Sequence, residues 1–234
     1  MNWTLLINSL LVALATASAA AGLGFLAALL AMLLESRARR WLLLAGIVCL
    51  VLPPFLVLNC WLHLLGLGGI WRGWLPADIY SVGGAVWILS LLLWPISLLL
   101  ILGAWQRLEP AQLEVEPALV GGALIRWLLW PAARGAIGQA FVVTFVLALN
   151  NFAVPALLQV KVYPAEVWVQ FNTTFDYTAA LRLSWPLVAA PLVLLGWLRH
   201  REVAWPRAAG PVPPRLFQRQ LGRPWDWSAG FWCC

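Results

Sequence analysis

Five long apolar runs, separated by short polar breaks, organise the chain: residues 5–34, 41–65, 82–105, 137–158 and 183–198. A helix that crosses bilayer hydrocarbon needs about 20 mostly apolar residues. The runs are too long, and too little alternating, for the strands of about 10 residues that build a membrane barrel. The pattern predicts an all-α membrane protein with five transmembrane helices. Pro53-Pro54 interrupts the second run, Pro95 lies inside the third, Pro155 near the end of the fourth, and Pro186 and Pro191 in the fifth. The first run is too long for a signal-peptide core and has no basic residue ahead of it, so it reads as a retained helix.

Composition narrows the class. Of 234 residues, 63% are hydrophobic and 10% charged, against about a quarter charged in an ordinary soluble domain. Mean hydropathy is +0.85. One soluble core could not hide that much apolar surface, which excludes a soluble enzyme, a disordered tail and a small disulfide scaffold. The 17 tryptophans suit a chain with two membrane–water interfaces.

The net charge of +6 acquires meaning once the charges are located. Arg37, Arg39, Arg40, Arg107, Arg126, Arg134 and six arginines from Arg199 to Arg223 fall in one set of loops; Arg72, Lys161 and Arg182 fall in the other. By the positive-inside rule the first set is cytoplasmic. Five spans then place the N-terminus outside and the C-terminus in the cytoplasm. The charge is an orientation signal, and no nucleic-acid partner is expected. Residues 1–200 read as the transmembrane domain and 201–234 as a Pro-rich basic tail or linker.

Cysteines add little. Cys49 and Cys60 share one apolar run, Cys233 and Cys234 end the chain, and no pair has metal-ligand spacing. No metal site and no cofactor are expected. In the first run, Ser9, Ala13, Ala17 and Ala21 form one row of small residues, and Thr16, Ala20, Gly24 and Ala28 another. Such rows let backbones approach closely in lipid, which predicts a seam against the bundle or against a second subunit. Asn150 and Asn151 stand at membrane depth, where unpaired amides are costly. Being adjacent, they point about 100° apart on a helix, so one is expected to face a pathway while the other bonds a neighbouring helix, or both serve interhelical bonds. Asn59, four residues before His63, is a further pathway candidate.

Residues 106–136, between the third and fourth runs, are too apolar for a plain linker. Glu109, Glu114 and Glu116 lie in the first half, and Gly121-Gly122 breaks the segment. It reads as two short amphipathic helices turning at the glycines, a cytoplasmic elbow between helices 3 and 4 that either docks a soluble partner or braces the bundle.

Glu116-Pro117-Ala118-Leu119-Val120-Gly121-Gly122 resembles the EAA loop of bacterial binding-protein-dependent ABC importer permeases, E-A-A-x-x-x-G followed downstream by a hydrophobic residue and Pro. Glu116, Ala118 and Gly122 match its Glu, second Ala and Gly, and Pro131 its closing Pro. Pro117 departs from the first Ala, and the gap to Pro131 is about one helical turn short. Asn8–Thr16, Leu52-Pro53-Pro54-Phe55 and Asn151–Leu158 are similar to the branch that contains ferric-iron, thiamine, molybdate and sulfate permeases. Together these cover roughly residues 5–200.

The resemblance implies a permease subunit in the bacterial inner membrane, moving a small solute such as iron(III) or a similar ion. Its partners would be a separate ATP-binding subunit, a periplasmic binding protein, and a second permease copy or half. The chain itself carries no G-x-x-x-x-G-K-[ST] phosphate loop, and no enzymatic activity of its own is expected. In the implied coupling, Glu114, Glu116 and Ala118 belong to the elbow that meets the ATPase, Gly121 and Gly122 permit its turn, and Pro131 ends it. Alternatives are a half-permease that only scaffolds its neighbour, and a membrane-embedded enzyme. The latter would need convergent ionisable groups at membrane depth, and the apolar runs hold no Asp, Glu, Lys or Arg.

The charge split makes a direct prediction. With native thiols removed, single cysteines at Ala38 and Asp78 should label from opposite sides of the membrane with an impermeant thiol reagent; labelling of both from one side refutes the arrangement.

Overall fold

A computed structural model describes residues 3–73, 78–106, 108, 121–174, 177–199 and 221. These residues are helical throughout their regular structure. In chain order the helices are α1 (Trp3–Leu33), α2 (Ser36–Val51), α3 (Pro54–Leu65), α4 (Val82–Trp105), α5 (Gly122–Leu149), α6 (Ala153–Leu157), α7 (Tyr163–Val169) and α8 (Tyr177–Arg199). Among the described residues, α1, α4 and α5 are long and apolar enough to cross a membrane, and α2 with α3 makes a fourth candidate if the bent pair counts as one. The chain is thus a multi-pass membrane protein.

The core is a three-helix bundle of α1, α4 and α5. Late residues of α1 (Ala28, Leu29, Met32) meet late residues of α4 (Leu98, Ile101, Trp105) and early ones of α5 (Leu129, Ala133). Midway, Ala13, Ala17 and Ala20 meet Leu92 and Leu93 of α4 and Phe145 and Ala148 of α5. So α1 and α4 run parallel, with α5 antiparallel to both. The chain between α1 and α4 must therefore return from one end of the bundle to the other, and α2 and α3 make that return. Leu42 and Leu43 of α2 touch the cluster around Trp105, while Leu58 of α3 joins Val12, Ile88 and Leu89 at the opposite end.

Both small-residue rows of α1 face inward. Ser9, Ala13, Ala17, Ala21, Thr16, Ala20, Gly24 and Ala28 are all buried, so the seam closes on the bundle itself. Gly24 marks the closest approach. A Cβ there would collide with Ser97 Cβ and lie 2.8 Å from both the Leu98 nitrogen and the Trp94 carbonyl oxygen. Only two hydrogens on Cα allow α1 and α4 to touch at this point.

Sequence expectations change in several places. The second run is not one helix: α2 and α3 meet at 103°, because Pro54 supplies no N–H to continue the α2 ladder and Pro53 restricts the residue before it. The fourth run is displaced. Its helix begins at Gly122 and stops at Leu149, so residues 150–158 lie outside it. The segment after Gly121-Gly122 is accordingly no separate elbow helix but the first turns of α5. The helix runs through Pro131. A wider turn at Ile125–Leu129, in which the Trp130 N–H reaches back to the Ile125 carbonyl, precedes the ring; such turns absorb a residue that cannot fit the regular ladder. The fifth run lies within α8, whose apolar stretch Ala180–Leu194 is shorter than the other candidates.

Substitution at Gly24 should reveal the closest approach. Gly24→Val is expected to destabilise the fold by about 1–3 kcal/mol through overpacking. Gly22→Ala, on a side of α1 where an added Cβ meets nothing within 4 Å, should not. Thermal unfolding in detergent, followed by circular dichroism, compares the two.

Candidate functional site

The two ends of the bundle carry different chemistry. At the first, Arg37, Arg39 and Arg40 open α2, and Arg126 and Arg134 lie in the first turns of α5. Here Trp105 is fully buried. Its indole N–H donates to the Leu129 carbonyl at 2.9 Å, and its ring meets Phe25 edge-on at 5.6 Å. One side chain thereby ties the ends of α4 and α1 to the start of α5. Gly121, just before α5, has φ 61°, a left-handed conformation in which an L side chain is strained. Gly122 and Leu124 are buried behind it. Arg126 also lies over its neighbour Trp127, 5.6 Å from the ring centre.

The coupling residues expected from sequence divide here. Gly121, Gly122 and Pro131 are placed at this end of the bundle, but Glu114, Glu116 and Ala118 lie outside the described residues.

The opposite end is built from the chain that follows α5. α5 stops at Leu149, and the Asn150 side-chain N–H donates back to the Val146 carbonyl at 2.9 Å. The Asn151 carboxamide oxygen accepts the Val154 N–H at 3.1 Å, a donor in the first turn of α6. Both bonds are local, Asn150 reaching back into α5 and Asn151 forward into the adjoining α6. Asn150 is exposed and Asn151 half-buried. Asn59 is also exposed, with His63, on the outer face of α3.

Val154 of α6 and, beyond it, Leu158, Val160 and Val162 fold back onto Val12, Leu58, Ile88 and Leu89. Ser9 locks this return. Its hydroxyl accepts the Tyr163 N–H at 2.7 Å and donates to the Leu5 carbonyl at 2.9 Å. Asn8 adds a bond to the Lys161 carbonyl at 3.4 Å. Tyr163 is itself buried, and burial pushes its phenol above the ordinary value.

Sequence reading passed over two features. Gln139 is a half-buried amide on α5, beside Gly135 and Gly138, where an added Cβ would meet nothing within 4 Å. A lone amide among glycines in an apolar run was the available signal. The second is a groove of about 440 Å³ between α1, α7 and the chain joining α6 to α7, lined by Leu5, Gln159, Lys161, Val162, Glu166 and Val169 among others. Nothing in the sequence brings Leu5 next to Lys161. Among the described residues no group of His, Cys, Asp and Glu could hold a metal ion.

No family model matches the chain, and no curated protein matches it.

The Ser9 contact predicts its own test. Ser9→Ala leaves the Tyr163 N–H buried without an acceptor, a loss of about 1–3 kcal/mol. Amide exchange at Tyr163 should accelerate while exchange in the Trp105 cluster holds.

Proposed function

We propose that the chain is the permease subunit of an ATP-driven, binding-protein-dependent importer, moving a small solute across a bacterial inner membrane. The observation that carries the reading is the position of the Glu116–Gly122 motif. Its last two residues stand at the entry to α5: Gly121 is left-handed and Gly122 opens the helix, the second-last long one, at the end of the bundle where Arg37, Arg39, Arg40, Arg126 and Arg134 lie. In this reading that end is cytoplasmic. Residues before Gly121 meet a separate ATPase, and α5 transmits its movement. Because α5 is one helix from Gly122 to Leu149, a push at its start is delivered along its length to the Asn150 break. Helix breaks of that kind mark pathways in other transporters.

A second permease half completes the pathway. The local pairing of Asn150 and Asn151 removes one reason to require it. The open α5 face at Gly135, Gly138 and Gln139 supplies another, since polar and small residues join helices in lipid. Ferric iron or a similar ion remains the solute class favoured by the resemblance.

The reading is tested in vesicles that also contain an ATP-binding subunit and a solute-binding protein, sought among the genes adjacent to its own. Glu116→Lys should abolish ATP-driven uptake while ATP hydrolysis and membrane insertion persist, and Gly121→Val should act in the same direction. Normal uptake in both variants refutes the coupling role.

A further inference from the structure

The groove at the Lys161 end contains two opposite charges, and among the described residues they form no ion pair with each other or with a third group. Lys161 is exposed and Glu166 half-buried. A surface pair so close in sequence would ordinarily be free to meet, yet each faces the groove separately. Gln159, also lining the groove, has φ 58°, the left-handed turn that ends α6: the Val160 N–H donates to the Pro155 carbonyl at 2.8 Å and the Gln159 N–H to the Ala156 carbonyl at 3.1 Å. The Ser9–Tyr163 and Asn8–Lys161 bonds fix one wall to α1.

The groove also lies at a definable depth. Trp3, two residues before Leu5, and Trp168, two after Glu166, are both exposed. Exposed indoles at the end of a membrane bundle sit at headgroup level. The remaining lining residues named above, Leu5, Val162 and Val169, are aliphatic, which suits the first carbons of an acyl chain.

We infer that this groove binds the headgroup of a zwitterionic phospholipid that carries a primary ammonium, with its phosphate on Lys161 and its ammonium on Glu166. Lys is a compact point charge suited to phosphate. Glu166 accepts N–H donors, which a primary ammonium offers and a trimethylated one does not. Recognition of a quaternary ammonium relies on aromatic faces, and among the described residues none that lines the groove is aromatic. An anionic lipid without an amine would satisfy Lys161 and leave Glu166 facing negative charge.

The test uses the full chain. It is reconstituted in mixed vesicles of phosphatidylethanolamine, phosphatidylcholine and phosphatidylglycerol, extracted in mild detergent, and the co-purifying lipid is counted by native mass spectrometry. The unmodified protein should retain phosphatidylethanolamine over either competitor by about tenfold, the equivalent of one charge-assisted contact. Lys161→Met and Glu166→Gln should each remove that preference, with circular dichroism verifying that the variants are folded. Equal retention of the three lipids by the unmodified protein overturns the inference without recourse to any variant, as does an undiminished preference in both folded variants. Soluble glycerophosphoethanolamine is titrated in parallel. If it binds while no lipid is retained, the groove takes a free solute and the lipid assignment is overturned.

Discussion

The contact of α1 with α4 at Gly24 is the constraint on which the rest of the structure depends. In lipid, apolar helices gain nothing from leaving water, so association rests on close packing. Large side chains hold helix axes apart, whereas the Ala, Ser, Thr and Gly rows of α1 let two neighbours approach at once. Thr16, Ser97 and Thr144 lie fully buried at this junction with no hydrogen-bond partner for their hydroxyls. They act as small side chains first, and the unmet hydrogen bonding is a cost that the packing offsets. Because α1 is the helix shared by α4 and α5, loosening it separates the whole core.

From that core the two ends acquire their characters. At one, Trp105 joins three helices with a single side chain, its ring filling space and its N–H satisfying the Leu129 carbonyl. The wide turn around Ile125–Leu129 and the left-handed Gly121 are local departures from regular helix, and both stand at the entrance to α5. At the other end the chain leaves α5 at Asn150, makes the short α6 and returns to α1 through Ser9. Regular helix stops there, and polar backbone groups find side-chain partners instead.

The proposed roles follow this division. Coupling belongs to the basic end, where a glycine turn meets a continuous helix able to carry displacement. Recognition belongs to the opposite end, where broken helices leave a groove with unpaired charges at headgroup depth. α2, α3 and α8 wrap the core loosely. Gly46 and Leu58 are the buried residues of α2 and α3, and large apolar side chains such as Val51, Trp185 and Val193 remain exposed, as lipid-facing surfaces do.

The sequence by itself determined the solvent and the secondary structure. Apolar runs of spanning length, few charges and many tryptophans imply membrane helices because hydropathy and helix rise are local properties. Segregation of arginines into alternate loops was legible for the same reason, and Arg37, Arg39, Arg40, Arg126 and Arg134 lie at one end of the bundle. The spacing of small residues in α1 announced close packing, though only the tertiary structure decided that both rows face α4 and α5. It also decided that Pro53-Pro54 turns the second run through 103°, that α5 starts at Gly122 and passes through Pro131, and that Asn150 and Asn151 are satisfied locally. Ser9 and Tyr163 stand 154 positions apart, and so the groove beside them was illegible. Hydropathy records how each residue interacts with its solvent, whereas a contact between distant residues depends on the packing of everything between them.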